Sequence, residues 1–567
     1  MKKLSVFVLL ILPAVLAFTA GILHYAQGPY WLGSNVDPEY LYVLSSLTLA
    51  ESKQTDTTGN PGTTLQMLGA ATMKISHALD FSGKDSLEFA VLKNPEFYLT
   101  VMNALLVTFN TLLLFFIGLT AFTLTKNIWL SLLVQFSPFF SKNILIDGLP
   151  RVSPEPLLLF SSLLFVLILM RMVLSKNLLK SAHLYMIILA LVSGFGVATK
   201  LTFLPLLIIP LFALPKLRNK IGFLFLTVFS FVLWTWPIIS LYENLFNWYY
   251  RILTHTGYYG SGGSRIIYLE AYFQNIMNLF LGNPLFFLVW LSSTGFIMIF
   301  RWTSLGGEKA KRKAVWQDNI LRILASLTVA QLLAVMMVAK HPAGWYLIPA
   351  LGLSGLMLFL MLLYLQRLGY FNRFHSKKVV LFAGIIFISV TAWGMVDIKN
   401  VFMQNLQIKQ ESLAVYGKVE SEYKDYHKFY QVFLSSYLAS SSPVCALAFG
   451  NYFVNEGRYS GSLQKIYGDV YFYNALNKKF YNWTREFSME NFILEGHGSK
   501  IVFQFPSIPE YGDRIICKRG SILHLKDVFK GQPETIYILD GITLMREENK
   551  ETADPVSPFP DLSNVFK

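Results

Sequence analysis

Charge is what this chain has least of. Asp, Glu, Lys and Arg make up 14% of its 567 residues, against about 25% in an ordinary soluble domain. That deficit excludes a soluble globular protein of ordinary surface. Cysteine is nearly absent as well. Cys445 and Cys517 are the only two; they lie in a region read below as outside the cytoplasm, where disulfides are permitted, and leave their pairing open. The sequence also lacks internal repeats, and no sign appears of the inverted halves found in many transporters.

What is present is apolar, at 54% of the chain. Eleven runs nearly free of charge recur: Leu4–Leu23, Val101–Thr125, Ile128–Ile146, Pro156–Met170, Ser181–Thr199, Leu201–Leu214, Ile221–Tyr242, Ile276–Phe300, Ile323–Ala339, Pro342–Gln366 and Val379–Val396. Most approach the ~20 residues a helix needs to cross a hydrocarbon core. Backbone groups must be paired internally there, so runs of this length predict helices. The expectation is a polytopic α-helical membrane protein of about eleven spans over residues 1–397, with a mixed α/β domain over 398–567. Met1–Gly21 imitates a secretory signal, but with ten further spans it reads as a retained first helix.

The net charge of +14 would by itself suggest nucleic acid, but its distribution points to a membrane instead. Alternating spans place Lys2, Lys3, Lys126, Arg171, Lys176, Lys180, Lys216, Arg218, Lys220, the 301–322 cluster and Arg367 to Lys378 on one side. The short turns opposite hold Arg151, Lys200, Arg251, Arg265 and Lys340. This is the positive-inside asymmetry. It predicts a cytoplasmic N-terminus, an extracytoplasmic C-terminal domain, and a bacterial-type inner or plasma membrane; no nucleic-acid partner is expected.

The long outer segments concentrate the candidate function. Residues 24–98 read as two interfacial helices joined by the polar turn Glu51 to Gly62, the second with an apolar stripe at three-to-four-residue spacing. Glu243 to Asn275 is rich in aromatics and carries Gly260 to Gly263, a stretch flexible enough for a lid over 258–264. Beyond Asp397 the reading is helix over Asn405–Leu438, then strands at Val444–Phe449, Lys500–Phe505, Ser521–Leu525 and Thr535–Leu539, and a disordered tail after Glu547. Asn482-Trp483-Thr484 matches a glycosylation tripeptide, a pattern common by chance.

Three local patterns carry chemistry and each has a bland reading beside it. Asp37-Pro38-Glu39 and Ser153-Pro154-Glu155 are what helix starts want, with a cap, a proline and a first-turn acid; two carboxylates at a membrane face also suit a general base or a cation site. Lys200 lies between two apolar runs, where an ionisable group is either interfacial or functional. Lys340-His341 forms a tight outer turn before Tyr346.

In order, the motifs are Val36-Asp37-Pro38-Glu39-Tyr40, Asn60-Pro61-Gly62-Thr63-Thr64-Leu65-Gln66, Ile146-Asp147 to Glu155-Pro156, Ala198-Thr199-Lys200, and Lys340 to Pro349 with Tyr346-Leu347-Ile348-Pro349. Over roughly 1–396 the set resembles the GT-C class of membrane glycosyltransferases, which includes protein O-mannosyltransferases and the lipid A aminoarabinose transferase. Many of those proteins place His where this chain has Asn60. The resemblance implies transfer of a sugar from a polyprenyl-phosphate donor to a glycan, lipid or protein acceptor, with inversion. It implies Asp37 as base and Glu39 as its assistant. Arg151, Glu155, Lys200, Arg251, Arg265, Lys340, His341 and Tyr346 are then expected around the substrate, with membrane lipids as neighbours. Some members use a divalent cation such as Mg or Mn, so metal dependence is open. A transporter or flippase of lipid-linked substrate is the alternative.

Overall fold

The structure is a computed structural model that describes residues 3–543, apart from 33–35, 56–58, 81–84, 176–177, 257–259, 261, 306–317, 370–376, 434–439, 454, 476, 498–499, 508–513, 517–520 and 532–533. The side chains of 3–4, 36–38, 301–305, 377–393, 433, 453, 514 and 516 also lie outside the description.

Among the described residues, seven helices are long and apolar enough to cross a membrane: Ser5–Gln27, Pro95–Thr125, Pro154–Val173, Leu178–Thr199, Leu217–Trp234, Asn319–Val338 and Gly344–Arg367. An eighth arises if Leu269–Leu281 and Pro284–Phe300, bent by 98°, form one span. The chain is thus an integral membrane protein with several spans. Of the remaining three apolar runs, two are broken and the third continues as helix well past its expected end. Ile128–Ile146 is divided into the helix Ile128–Gln135, a 3₁₀ turn Ser137–Phe140 and the helix Lys142–Ile146. Leu201–Leu214 is a 3₁₀ turn, Leu201–Leu207, followed by Ile208–Ala213. Pro138 and Pro205 sit in these turns, where each removes a helical donor. Val379–Val396 belongs to a 46-residue helix, Lys377–Glu422.

Two compact units result. One comprises Met1–Leu23, Gly59–Leu65 and Asn103–Val401; the other comprises His24–Thr58, Gln66–Met102 and Phe402–Lys567. Most of the first long loop therefore groups with the C-terminal residues.

In the first unit the helices are joined by buried amides that satisfy backbone carbonyls. Gln135 donates to Leu9 O at 2.9 Å and Leu114 O at 3.1 Å. Asn110 donates to Pro156 O at 3.0 Å, and Gln331 to Ala350 O at 3.1 Å. Where lipid offers no hydrophobic drive between helices, such bonds and close packing at small residues take over. Gly194 shows the second device: a Cβ there would lie 2.7 Å from the backbone nitrogen of Phe231 on the neighbouring helix.

The second unit contains the helix Val36–Ala50, most of Thr63–Leu79, and a short helix Leu87–Lys93 capped by Ser86. The two helices expected in the first loop are present, and Leu87–Lys93 adds a third. An eight-stranded sheet follows, built from β1 (His427–Phe433), β2 (Tyr471–Asn474), β3 (Lys479–Tyr481), β4 (Glu486–Phe487), β5 (Ile501–Pro506), β6 (Arg514–Ile516), β7 (Ile522–Lys530) and β8 (Glu534–Thr543). Its order is β4-β3-β2-β1-β5-β8-β7-β6. β1 runs parallel to β2 and β5, and the other pairs are antiparallel. Alternating aromatics such as Phe429, Tyr473, Phe503 and Phe505 fill one face.

Two expectations are corrected here. Val444–Phe449 lies in a helix, Pro443–Phe453. Its apolar run is Ala-rich, begins at Pro, and crosses over between parallel strands that cannot be joined by a hairpin. The helix expected over Asn405–Leu438 ends at Glu422, and His427–Phe433 is the strand β1; the aromatic run His-Lys-Phe-Tyr-Gln-Val-Phe suits a pleated, half-buried surface. The three strands expected from Lys500 onward match β5, β7 and β8. Cys445 is a buried free thiol that donates to Gln431 O at 3.1 Å. Cys517 and the tail after Glu547 lie outside the described residues.

One carboxyl is enclosed where β5 meets β8. Glu534 is 1% exposed; it accepts from Gln504 Nε2 at 2.6 Å and from the Ser441 amide. Burial pushes it up to about 7 from an ordinary 4.5, against the pull of those donors. The unfolded chain gives up this proton near the ordinary value, whereas the fold holds it. Stability from this group is full below about 4.5 and is lost as pH rises through about 7, a difference of about 3 kcal/mol. Thermal melting of the wild type should fall across that window, and Glu534→Gln should flatten the dependence. An equally steep profile in the variant contradicts the assignment.

Candidate functional site

Lys200 begins where the helix Leu178–Thr199 stops. Its backbone is extended, with φ −163° and ψ 140°, because Leu201 turns the chain into a 3₁₀ segment. That extended step pairs with a second one. Lys200 bridges Pro61 in antiparallel fashion, and Leu201 N donates to Asn60 O at 3.1 Å. Tyr249 OH reaches the same Asn60 carbonyl at 3.3 Å, while the hydroxyls of Thr64 and Thr199 lie 2.7 Å apart. The Asn60–Pro61 peptide is cis, with Gly59 and Gly62 at positive φ on either side. These glycines permit the tight reversal that a side chain would strain.

The Lys200 side chain is enclosed. Its Nζ donates to Glu155 Oε1 at 2.6 Å and lies 4.4 Å from the centre of the Tyr346 ring. The two side chains are only 11% and 7% exposed. Glu155 is indeed in the first turn of a helix with Pro154 at its start, as its local pattern predicts, yet its carboxylate also reaches the lysine. Tyr346 stands in the 3₁₀ turn Gly344–Leu347, whose Gly344 leaves room for the Asn143 side chain. A buried pair of this kind needs both members, since either alone is an uncompensated charge. Near it, burial pushes the Asp147 carboxyl up to about 6, opposed by Arg151 and Lys142 and reinforced by Glu155.

The remaining expected residues are distributed more widely. Lys340 donates to Leu253 O at 2.5 Å, closing the last turn of the helix Tyr242–Thr254, where a cation is favoured. Burial, and then Lys340, hold His341 below the usual histidine range; its Nε2 is enclosed without a hydrogen-bond partner. Arg151 is half-buried, and Arg251 and Arg265 are exposed. Much of the expected lid lies outside the described residues. The structure thus joins Glu155, Lys200 and Tyr346, with Asp147 and Arg151 close in charge.

In the other unit, Asp37 lies in the first turn of the helix Val36–Ala50, its side chain outside the described residues. Glu39 is fully buried. Beside it stands a carboxylate that the sequence reading passed over. Glu96 accepts from the Tyr30 amide at 2.9 Å, the Trp31 amide at 3.2 Å and the Tyr40 hydroxyl at 2.8 Å. Asn94-Pro95-Glu96 reads as one more helix start, so only its likeness to the Pro-Glu pairs in the first turns of two other helices marks it. Within this unit, Thr48 donates to Asn455 Oδ1 at 3.0 Å, and its hydroxyl lies 2.7 Å from that of Tyr459. Among the described residues no group of three His, Cys, Asp or Glu is placed to hold a metal ion.

No family model matches the chain, and no curated protein matches it.

The lysine pair makes its own prediction. Lys200→Met and Glu155→Leu should each destabilise the protein by about 3–5 kcal/mol, whereas the two combined should regain most of the loss. Melting of the four proteins in detergent reads the coupling. Strictly additive losses would show that the pair does not act as a unit.

Proposed function

We propose that the protein is a glycosyltransferase that moves one sugar from a polyprenyl-phosphate donor to a hydroxyl acceptor on a glycan, lipid or protein at the extracytoplasmic face. One observation carries this reading. Four of the motif segments behind the GT-C resemblance meet in a single buried arrangement: Asn60 to Thr64, Asp147 to Glu155, Thr199–Lys200, and Tyr346. A pattern built only of helix starts and belt residues would not require them to share contacts.

The chemistry fits a lipid-tethered substrate. The lipid tail keeps the donor at the membrane, so the reacting carbon must be met there. The acceptor oxygen attacks the anomeric carbon in line, its proton passes to the Asp37 carboxylate, and the bond from that carbon to the phosphate oxygen breaks with inversion. Polyprenyl phosphate leaves with the bonding pair. General-base assistance of this kind contributes about 10²–10⁴-fold. Glu39 assists Asp37. Lys200 is a cation already held near the membrane's apolar runs, and stabilising the developing phosphate charge is what such a fixed cation does best. Glu155 then serves as its counter-ion until the phosphate takes that place, with Arg151 adding positive charge and Tyr346 supporting the lysine. Arg251, Arg265, Lys340 and His341 complete the expected contacts to the substrate.

The test supplies purified wild type with a panel of polyprenyl-phosphate sugars and measures release of polyprenyl phosphate. Asp37→Asn should lower turnover by about 10²–10⁴-fold, and Lys200→Met should weaken donor use by about tenfold or more. Chelation followed by addition of Mg²⁺ or Mn²⁺ reads metal dependence in the same assay. Equal release by wild type and Asp37→Asn rejects the base assignment. Movement of intact lipid-linked substrate across vesicles without release would favour a flippase.

A further inference from the structure

Three helices of this chain carry the same dipeptide in their first turn: Pro38-Glu39, Pro95-Glu96 and Pro154-Glu155. An acid so placed ordinarily serves the free amides of its own first turn. Glu96 does not. One of its oxygens, Oε2, accepts the Tyr30 amide; the other, Oε1, accepts the Trp31 amide and the Tyr40 hydroxyl. All three donors belong to one stretch of chain, far from Glu96 in sequence and within the same compact unit. Tyr30 and Trp31 are buried in the turn after the first helix, and Tyr40 is fully buried in the first turns of the next. The two tethered points lie on either side of Asp37 and Glu39.

We propose that Glu96 is a positioning residue, whose carboxylate clamps the Tyr30–Trp31 turn to Tyr40 and so fixes the segment that carries Asp37 and Glu39. What is positioned rests on the proposed glycosyl transfer; the clamp itself rests on the geometry. A carboxylate suits the place because it only accepts, and three donors converge on it. Glutamine keeps the shape but presents an amide N–H₂ to one side, so at least one donor loses its acceptor. Tyr40→Phe removes one donor and leaves both amides held. The graded loss is what a clamp predicts. Misplacing a catalytic group by about 1 Å costs on the order of 10²-fold in rate, so the effect belongs in turnover rather than in binding of a donor held elsewhere.

The experiment uses the full chain in lipid nanodiscs. Hydrogen exchange should accelerate by about tenfold at the Tyr30 and Trp31 amides in Glu96→Gln, with β5 and β8 unchanged. In the polyprenyl-phosphate release assay, kcat should fall about tenfold or more in Glu96→Gln and about threefold in Tyr40→Phe, with donor KM within about twofold of wild type. Unaltered exchange at those amides overturns the clamp. Faster exchange with unchanged kcat overturns the positioning role while leaving the proposed function intact. Should exchange rise throughout Glu96→Gln, that variant has unfolded, and Tyr40→Phe decides: a threefold loss confined to kcat sustains the proposal, and wild-type kinetics sink it. A wild type that releases no polyprenyl phosphate from any donor overturns the proposed function first, and the positioning role with it.

Discussion

A lysine enclosed beside the membrane's apolar runs must be given a partner, and much of the first unit is arranged around that requirement. An ammonium at membrane depth costs about 2.5–3.5 kcal/mol on insertion scales and more when isolated in protein. Lys200 meets this cost with one carboxylate and one aromatic face. Neither partner is a sequence neighbour. Glu155 comes from the start of one helix and Tyr346 from a turn before another, so the pair dictates which chain segments must meet. The cis-proline turn at Asn60–Pro61 joins the same place through the backbone of Lys200 and Leu201. Lys200 is thus held by main-chain pairing as well as by charge, a combination that fixes its ammonium in position.

That arrangement explains why broken helices occur where they do. A continuous helix through Lys200 would satisfy its own backbone and leave no extended step to pair with Pro61. The 3₁₀ turn Leu201–Leu207 and the turn Gly344–Leu347 interrupt apolar stretches at the site. Non-helical backbone among apolar spans is tolerated where protein, rather than lipid, satisfies it. Here the carbonyl of Asn60 and the amide of Leu201 satisfy one another. The same logic accounts for Asn283 at the sharp bend between Leu269–Leu281 and Pro284–Phe300, where its carboxamide NH₂ donates to the Leu279 carbonyl at 3.0 Å.

Much of this was legible from residues alone, and what was not has a physical cause. Long apolar runs announce helices because the requirement for internal backbone pairing is local. Among the described residues, seven runs accordingly supply stretches long and apolar enough to cross a membrane, and one more is bent. Ile128–Ile146 and Leu201–Leu214 looked alike in composition, but proline within them converts length into short pieces. In the sheet domain, Lys500–Phe505 and Thr535–Leu539 declared themselves as strands by β-branched and aromatic content. Val444–Phe449 did not, since a short apolar run is compatible with either state and only its role as a crossover between β1 and β2 decides. The Lys200–Glu155 contact was invisible for another reason. Both residues were singled out, but each as a candidate for the substrate, because pairing at a separation of 45 residues is a property of tertiary structure.

The three Pro-Glu helix starts make the point most sharply. Local pattern assigns Glu39, Glu96 and Glu155 one identical task, and for a solvent-exposed helix it would be the right one. Burial changes the outcome. An exposed first-turn acid gains a few tenths of a kcal/mol from its own helix and is otherwise served by water. Once enclosed, the same carboxylate loses that water, and each oxygen must find donors wherever the fold supplies them. Glu155 finds an ammonium, and Glu96 finds two amides and a phenol. The cap motif is therefore a starting position rather than a role. Where such a helix start is buried, the partner its acid recruits is the feature to read, because that partner identifies which distant segment the acid holds in place.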